Sequence, residues 1–243
     1  MNNMLVIIPT YNELDNIEVI LKQTFELNLG IDILVVDDNS PDKTYEKVQE
    51  LISENIYEKQ LHLIVREKKD GLARAYITGF EYALEREYKY IVEMDADMSH
   101  NPKYLKDFLE NIQSYDLVIG SRYVEGGGVV NWSFIRKLIS FGGSFYARTI
   151  LGIKIQDVTG GFKCFRREVL ESINFDALIA TGYAFQIEMN YRASIMGFKI
   201  KEVPIVFEDR VAGVSKMSKK IFIEALFKVV ILRLNKNKIL GKS

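Results

Sequence analysis

Cysteine is nearly absent from this chain of 243 residues: Cys164 stands alone, and the only histidines are His62 and His100. An internal disulfide is therefore excluded, and so is a zinc centre built from Cys and His. No sign of charge dominates either. Lys and Arg number 32 against 33 Asp and Glu, for a formal net charge of -1, so nothing draws the whole molecule to nucleic acid and any phosphate recognition must come from local cations. Long apolar runs are also missing. The N-terminus lacks the basic segment and apolar core of a secretory signal, and the stretch 221–234 is broken by Glu224, Lys228 and Arg233, short of the roughly twenty apolar residues a spanning helix needs. A cytoplasmic protein is expected, with attachment to the cytoplasmic face of a membrane left open.

What is present is a core. With 48% hydrophobic residues, the chain suits one large domain or a domain with an appendage. Short runs rich in Val and Ile at 4–8, 33–36, 61–65, 90–94 and 117–119 read as buried strands. Between them, Leu72, Ala75, Tyr76, Gly79, Phe80 and Ala83 recur at helical spacing. The alternation predicts an α/β fold, a mostly parallel sheet with helices on both faces. Ser40-Pro41 and Asn101-Pro102 each read as a capping side chain before a proline at the first helical position. Further on, a helix is expected over 132–150, weakened by Gly142 and Gly143, then a strand over 159–165, a helix over 184–196 and a strand over 198–207. No internal repeat or low-complexity segment interrupts the order.

The most informative stretch is YIVEMDADMSH, residues 90–100. An apolar run leads into Asp95 and Asp97, and in extended backbone residues i and i+2 share a side. Such a pair can hold Mg²⁺ or Mn²⁺, which keeps its other positions for water and substrate phosphate. Two aspartates of an ordinary turn are the plainer alternative. Against it, ligands of open α/β sheets sit beyond the carboxyl ends of the strands, and polar clusters follow all five runs: Thr10 to Glu13, Asp37 to Ser40, Arg66 to Gly71, Asp95 with Asp97, and Ser121-Arg122. There Asp38 can meet a ribose or base edge and Tyr11 can stack on a base, with Glu13 in support. Arg66, Lys68 and Lys69 abut Gly71 at a helix start, a position that favours anions. Arg122 and Arg136 flank the loop Glu125 to Gly128, with Ser140 a turn beyond Arg136.

In order, the blocks VIIPTYNE, VVDDNSPD, REKKDGLARA, MDADMSH, GSRY, the segment 132–140, DVTGGFKCFRREVL, GYAFQIEM and EVPIVFEDRVAGVSK resemble the polyprenyl-phosphate sugar transferases of glycosyltransferase family 2, above all the dolichyl-phosphate mannose synthases. The likeness spans about residues 4–216. It implies a GT-A fold and a metal-dependent, inverting transfer of mannose from GDP-mannose to a dolichyl or polyprenyl phosphate. By the same likeness Pro9, Tyr11, Glu13, Asp38 and Lys69 line the nucleotide pocket, and Asp95 and Asp97 hold Mg²⁺ or Mn²⁺ on the diphosphate. Arg122, Arg136 and Ser140 grip the acceptor phosphate, and Arg210 and Lys216 close over the pyrophosphate. Asp97, Arg122 and Arg136 are the expected catalytic residues. Some relatives have Gln where this chain has Ser99, so the third protein ligand stays open.

A catalytic domain over 1–210 and a basic, amphipathic segment over 211–243 are expected, the latter docking on a membrane surface or a small membrane protein. A helix closing the core is the other reading of that segment. Three further readings of function are open: UDP-glucose as donor; a hydroxyl acceptor, which would need a general base and points to Glu188; and a receiver-like regulatory domain using Asp37-Asp38, which leaves half the chain unexplained.

Overall fold

A computed structural model describes residues 3–57, 59–180, 182–208 and 219–241, without the side chains of Tyr183 and of residues 219–224. Along the chain run β1 (Met4–Thr10), α1 (Leu14–Phe25), β2 (Asp32–Asp37), α2 (Thr44–Ser53), β3 (Leu61–Val65), α3 (Leu72–Glu85), β4 (Tyr90–Glu93), α4 (Leu105–Asn111), β5 (Leu117–Ser121), β6 (Gly128–Val130), α5 (Phe134–Leu151), β7 (Lys163–Arg166), α6 (Arg167–Glu171), α7 (Tyr183–Ile195), β8 (Ile200–Pro204), β9 (Val206–Glu208), α8 (Lys219–Leu234) and α9 (Lys236–Ile239). Seven strands form one sheet in the order β3-β2-β1-β4-β7-β5-β8. Within it β7 alone runs antiparallel to its neighbours. The small sheet β6-β9 stands apart.

Alternation along the strands divides the core. Leu5, Ile7, Leu34 and Val36 face one side with Tyr76, Phe80 and Phe165, while Val6, Ile8, Ile33 and Val35 face the other with Ile17, Phe108 and Phe162. Each inner strand is buried on both faces, which is why these runs are continuous rather than alternating in hydropathy. Helix α3 lies so close to β1 that a Cβ at Gly79 would meet Ile7 Cγ2 at 2.5 Å. Glycine is needed there for the approach, not for a turn.

Several local expectations give way to tertiary structure. Ser40 does not cap a helix: its hydroxyl donates to Asp37 Oδ2 at 2.7 Å and accepts from Asn12 N at 3.1 Å, and α2 begins at Thr44 behind Asp42, which accepts from Thr44 N. Asn101 caps as expected, accepting from Lys103 N, but opens a short 3-10 turn. Helix α5 runs unbroken through Gly142 and Gly143, from the cap at Ser133 to Gly152 in the left-handed region. The strand expected over 159–165 shortens to Lys163–Arg166, its first half being loop. The strand over 198–207 splits at Ile205, so β8 completes the main sheet while β9 pairs with β6. Helix α8 ends at Leu234, with Val229 and Leu232 buried in the core beside α5 and α7.

Candidate active site

Because β1 to β5 all point the same way, their carboxyl ends share one edge of the sheet, and the polar clusters read from the sequence lie along it. Asp37 is fully buried, accepting from Thr10 Oγ1 (2.6 Å), Ser40 N (2.8 Å) and Ser40 Oγ (2.7 Å). It ties the first two loops together and is walled off from any phosphoryl donor, which removes the attraction of a receiver-like reading. Asp38, next in line, is 6% exposed and pairs with Arg66 NH1 at 3.0 Å. Burial raises its pKa, more strongly than Arg66 lowers it. Lys69 Nζ sits 3.6 Å over the Tyr11 ring, so the loops after β1 and β3 meet there. Pro9 is half-buried in β1, and Glu13 opens α1, its Oε2 accepting from Asn16 Nδ2 at 2.9 Å.

Asp95 and Asp97 follow β4 directly. Asp95, whose side chain is 29% exposed, accepts from the Tyr76 hydroxyl at 2.9 Å, and its N–H donates to His100 Nδ1 at 2.9 Å. Burial, and then the Asp95 charge, push the Tyr76 phenol far above its usual range, so it remains a donor. Asp97 accepts from Ser99 N at 3.1 Å, across Met98 at positive φ. Among the described residues no set of three His, Cys, Asp or Glu could hold a metal. Two carboxylates at a strand end nonetheless suit an oxygen-preferring divalent cation that draws its remaining ligands from water and a diphosphate. Beneath them Glu93 and Lys163 form a fully buried pair at 3.8 Å; burial, opposed by Lys163, pushes Glu93 up to about 7, and burial, opposed by Glu93, pulls Lys163 down to about 8.

The cations flanking the glycine loop are tightly placed. Arg122 is held by Asp157, through Nε at 2.7 Å and NH2 at 2.6 Å, and the backbone N–H of Arg122 donates to the same carboxylate. Arg136 lies 4.1 Å over the Trp132 ring. Ser140 accepts from the Tyr123 hydroxyl at 2.6 Å. Arg210 and Lys216 lie outside the described residues. Glu188, the candidate base for a hydroxyl acceptor, is fully buried, with Oε2 accepting from Ile179 N and Ala180 N and Oε1 from Arg192. Its position is that of a structural clamp. Sequence reasoning gave no individual role to Asp157, Trp132, Tyr76 or His100; the one available signal was that each falls within or beside a block already singled out.

A mostly parallel sheet with a strand-end Asp-x-Asp at its carboxyl edge, where the other strand-end polar clusters also lie, is the architecture of a GT-A glycosyltransferase, and solved enzymes of that fold share it. The mannosyltransferase PcManGT from Pyrobaculum calidifontis, solved with GDP-Man and Mn²⁺, aligns over 98% of this chain and 72% of its own at TM-score 0.60 and 19% identity. TarS of S. aureus, solved with UDP, aligns over 99% of this chain and 70% of its own, at TM-score 0.63 and 19% identity. The chain belongs to Glycosyl transferase family 2, whose profile matches residues 5–173. It is 45% identical over 226 residues to an undecaprenyl-phosphate mannosyltransferase of Micrococcus luteus, covering 93% of this chain and 92% of the relative. It is 46% identical to a polyprenol monophosphomannose synthase of Mycolicibacterium smegmatis, covering 93% and 84%.

Proposed function

We propose that the protein transfers mannose from GDP-mannose to the phosphate of a polyprenyl lipid, with inversion at the anomeric carbon. The observation that carries this is the likeness to two polyprenyl-phosphate mannose transferases over nine-tenths of the chain, joined to a strand-end carboxylate pair and two arginines gathered about one tryptophan ring. In this reading Tyr11, Asp38 and Lys69 hold the nucleotide, with Pro9 and Glu13 shaping its loop. Asp95 and Asp97 would hold Mg²⁺ or Mn²⁺, which when bound offsets the charge of the diphosphate. Arg122, Arg136 and Ser140 receive the lipid phosphate. A phosphate oxygen attacks the sugar's anomeric carbon as the bond to GDP breaks, and the bonding pair leaves with the diphosphate. A phosphate is already ionised at neutral pH, so no base has to remove a proton; positioning and charge stabilisation carry the rate. Arg210 and Lys216 are assigned to the pyrophosphate by resemblance alone.

A panel of labelled nucleotide sugars offered with a polyprenyl phosphate tests this. Label from GDP-mannose is expected in the organic-extractable product, at least about tenfold above UDP-glucose, the margin expected for a site built to hydrogen-bond one base. Preferential use of UDP-glucose, or label only in water-soluble product, would reject the donor or the acceptor assignment respectively.

A lipid acceptor also requires contact with a membrane, and no helix among the described residues is long and apolar enough to cross one. The surface that meets lipid in this reading is α5 with α8. Among the described side chains six exposed large apolar groups lie on α5 and four on α8, Phe134 being 78% and Leu234 79% exposed. The two helices pack together, Tyr146 donating to Leu226 O, and Arg148 lies 5.2 Å over the exposed Phe145 ring, a cation placed where anionic headgroups would meet it. Ser140 and Arg136 ride on the same helix, so insertion of α5 would bring the acceptor site down to the headgroups. Exchanging Phe134 and Leu138 for Ser is expected to weaken binding to anionic phosphatidylglycerol vesicles by about tenfold or more, from ~1.5–3 kcal/mol per buried apolar side chain. Unchanged co-sedimentation would sink this placement.

A further inference from the structure

Arg122 and Arg136 lie fourteen positions apart, yet each is held by a neighbouring side chain, Arg122 by a fully buried carboxylate and Arg136 by an aromatic face. Asp157 is fully buried and receives three hydrogen bonds from Arg122. Its own backbone is anchored in turn, since the N–H groups of Gln156 and Asp157 donate to the two oxygens of Glu202 at 2.8 Å each. Thr159 Oγ1 closes the arrangement, accepting from Arg122 NH2 at 2.8 Å. On the other side the Trp132 ring lies under the Arg136 guanidinium at 4.1 Å and 5.6 Å from that of Arg122. Phe207 meets the indole edge-on at 5.5 Å, and the indole N–H is buried with no hydrogen-bond partner among the described residues.

We propose that Asp157 and Trp132 are positioning residues, which set Arg122 and Arg136 as one pre-formed receptor for the acceptor's phosphate. An arginine gripped through Nε and one terminal nitrogen has its plane fixed, so little orientation is left to lose on binding a second anion. An aromatic face restrains the other guanidinium without neutralising it. This rests on the reading of the two arginines as ligands of the lipid phosphate.

Trp132 is the one tryptophan of the chain, so its emission reports on this receptor alone. Farnesyl phosphate added to the wild-type protein is expected to change that emission saturably, and farnesol to leave it unchanged. D157N is expected to lower kcat/KM for the lipid phosphate about 10- to 100-fold, the scale of a misplaced reacting group, with the KM for the nucleotide sugar within twofold. W132L is expected to lose about tenfold and W132F to recover most of it, because a phenyl face retains the cation contact. Thermal melting run in parallel separates these effects from unfolding. If D157N fails to fold, the Trp132 pair and the wild-type titration still decide. Emission indifferent to farnesyl phosphate, equal losses toward donor and acceptor in a folded D157N, or W132F as impaired as W132L would overturn the positioning role while leaving the mannosyl-transfer reading intact. A wild-type protein that neither binds nor uses any prenyl phosphate would overturn both.

Discussion

Asp97→Asn is expected to lower mannosyl transfer to lipid by at least about 100-fold, because a metal's stabilisation of developing charge is worth several kcal/mol and each 1.36 kcal/mol is tenfold. The substitution isolates charge. Asn keeps a carbonyl oxygen that can accept from Ser99 N, the bond Asp97 makes at 3.1 Å, so stability is expected to change by less than about 1 kcal/mol. What disappears is one of two negative charges available to a divalent cation, with Asp95 left to act alone. Chelation of divalent metal should give the same loss in the wild-type enzyme, and a raised Mn²⁺ concentration should restore part of the activity of Asp97→Asn. The measurement is labelled mannose in the organic phase, with nucleotide-sugar binding followed by calorimetry in the presence and absence of metal. Full activity in both the variant and the chelated enzyme would remove the metal assignment and, with it, the central role given to this pair.

The pair was legible because it needed only two local facts, an apolar run of strand length and a spacing of two. The same holds for the ends of β1, β2, β3 and β5, whose polar residues sit where the alternation of strands and helices put them. Less was legible where a side chain answers to a distant partner. Ser40 reads as a helix cap, but Asp37 and Asn12 bind it more closely than any helix start. The strand Lys163–Arg166 enters the sheet antiparallel between β4 and β5, and nothing in four residues specifies which neighbours they take. Asp157 looks like a loop aspartate until Arg122, thirty-five positions earlier, closes on it. The run 198–207 reads as one strand because apolar residues recur along it from Phe198 to Phe207; the bend at Ile205, whose N–H donates to Ser121 O at 3.0 Å, is set by the neighbouring strand.

Glu188 separates the phosphate acceptor from a hydroxyl acceptor, and the expected result is loss of stability rather than loss of chemistry. Its carboxylate accepts at 2.9 and 2.7 Å from the N–H groups of Ile179 and Ala180, and from Arg192 Nε and NH2 at 2.9 and 2.7 Å. Arg192, only 3% exposed, also donates to Ala177 O at 2.7 Å, and Lys228 on α8 donates to Ile179 O. The carboxylate is thus the hub that joins α7 to the loop before it and, through that loop, to α8. Glu188→Ala strands a buried guanidinium and two backbone donors, at a cost of about 3–5 kcal/mol, which at ~2–4 °C per kcal/mol for a chain of this size lowers the melting temperature by roughly 10 °C. Glu188→Gln is expected to cost less but still be unfavourable, since an amide must turn its NH₂ toward groups that are themselves donors. Below the transition each folded variant should retain kcat within about threefold, because the role assigned to Glu188 is neither proton transfer nor charge stabilisation. A Glu188→Gln protein that melts like wild type, binds nucleotide sugar normally and fails to turn over would instead make Glu188 a general base and return the acceptor to a hydroxyl.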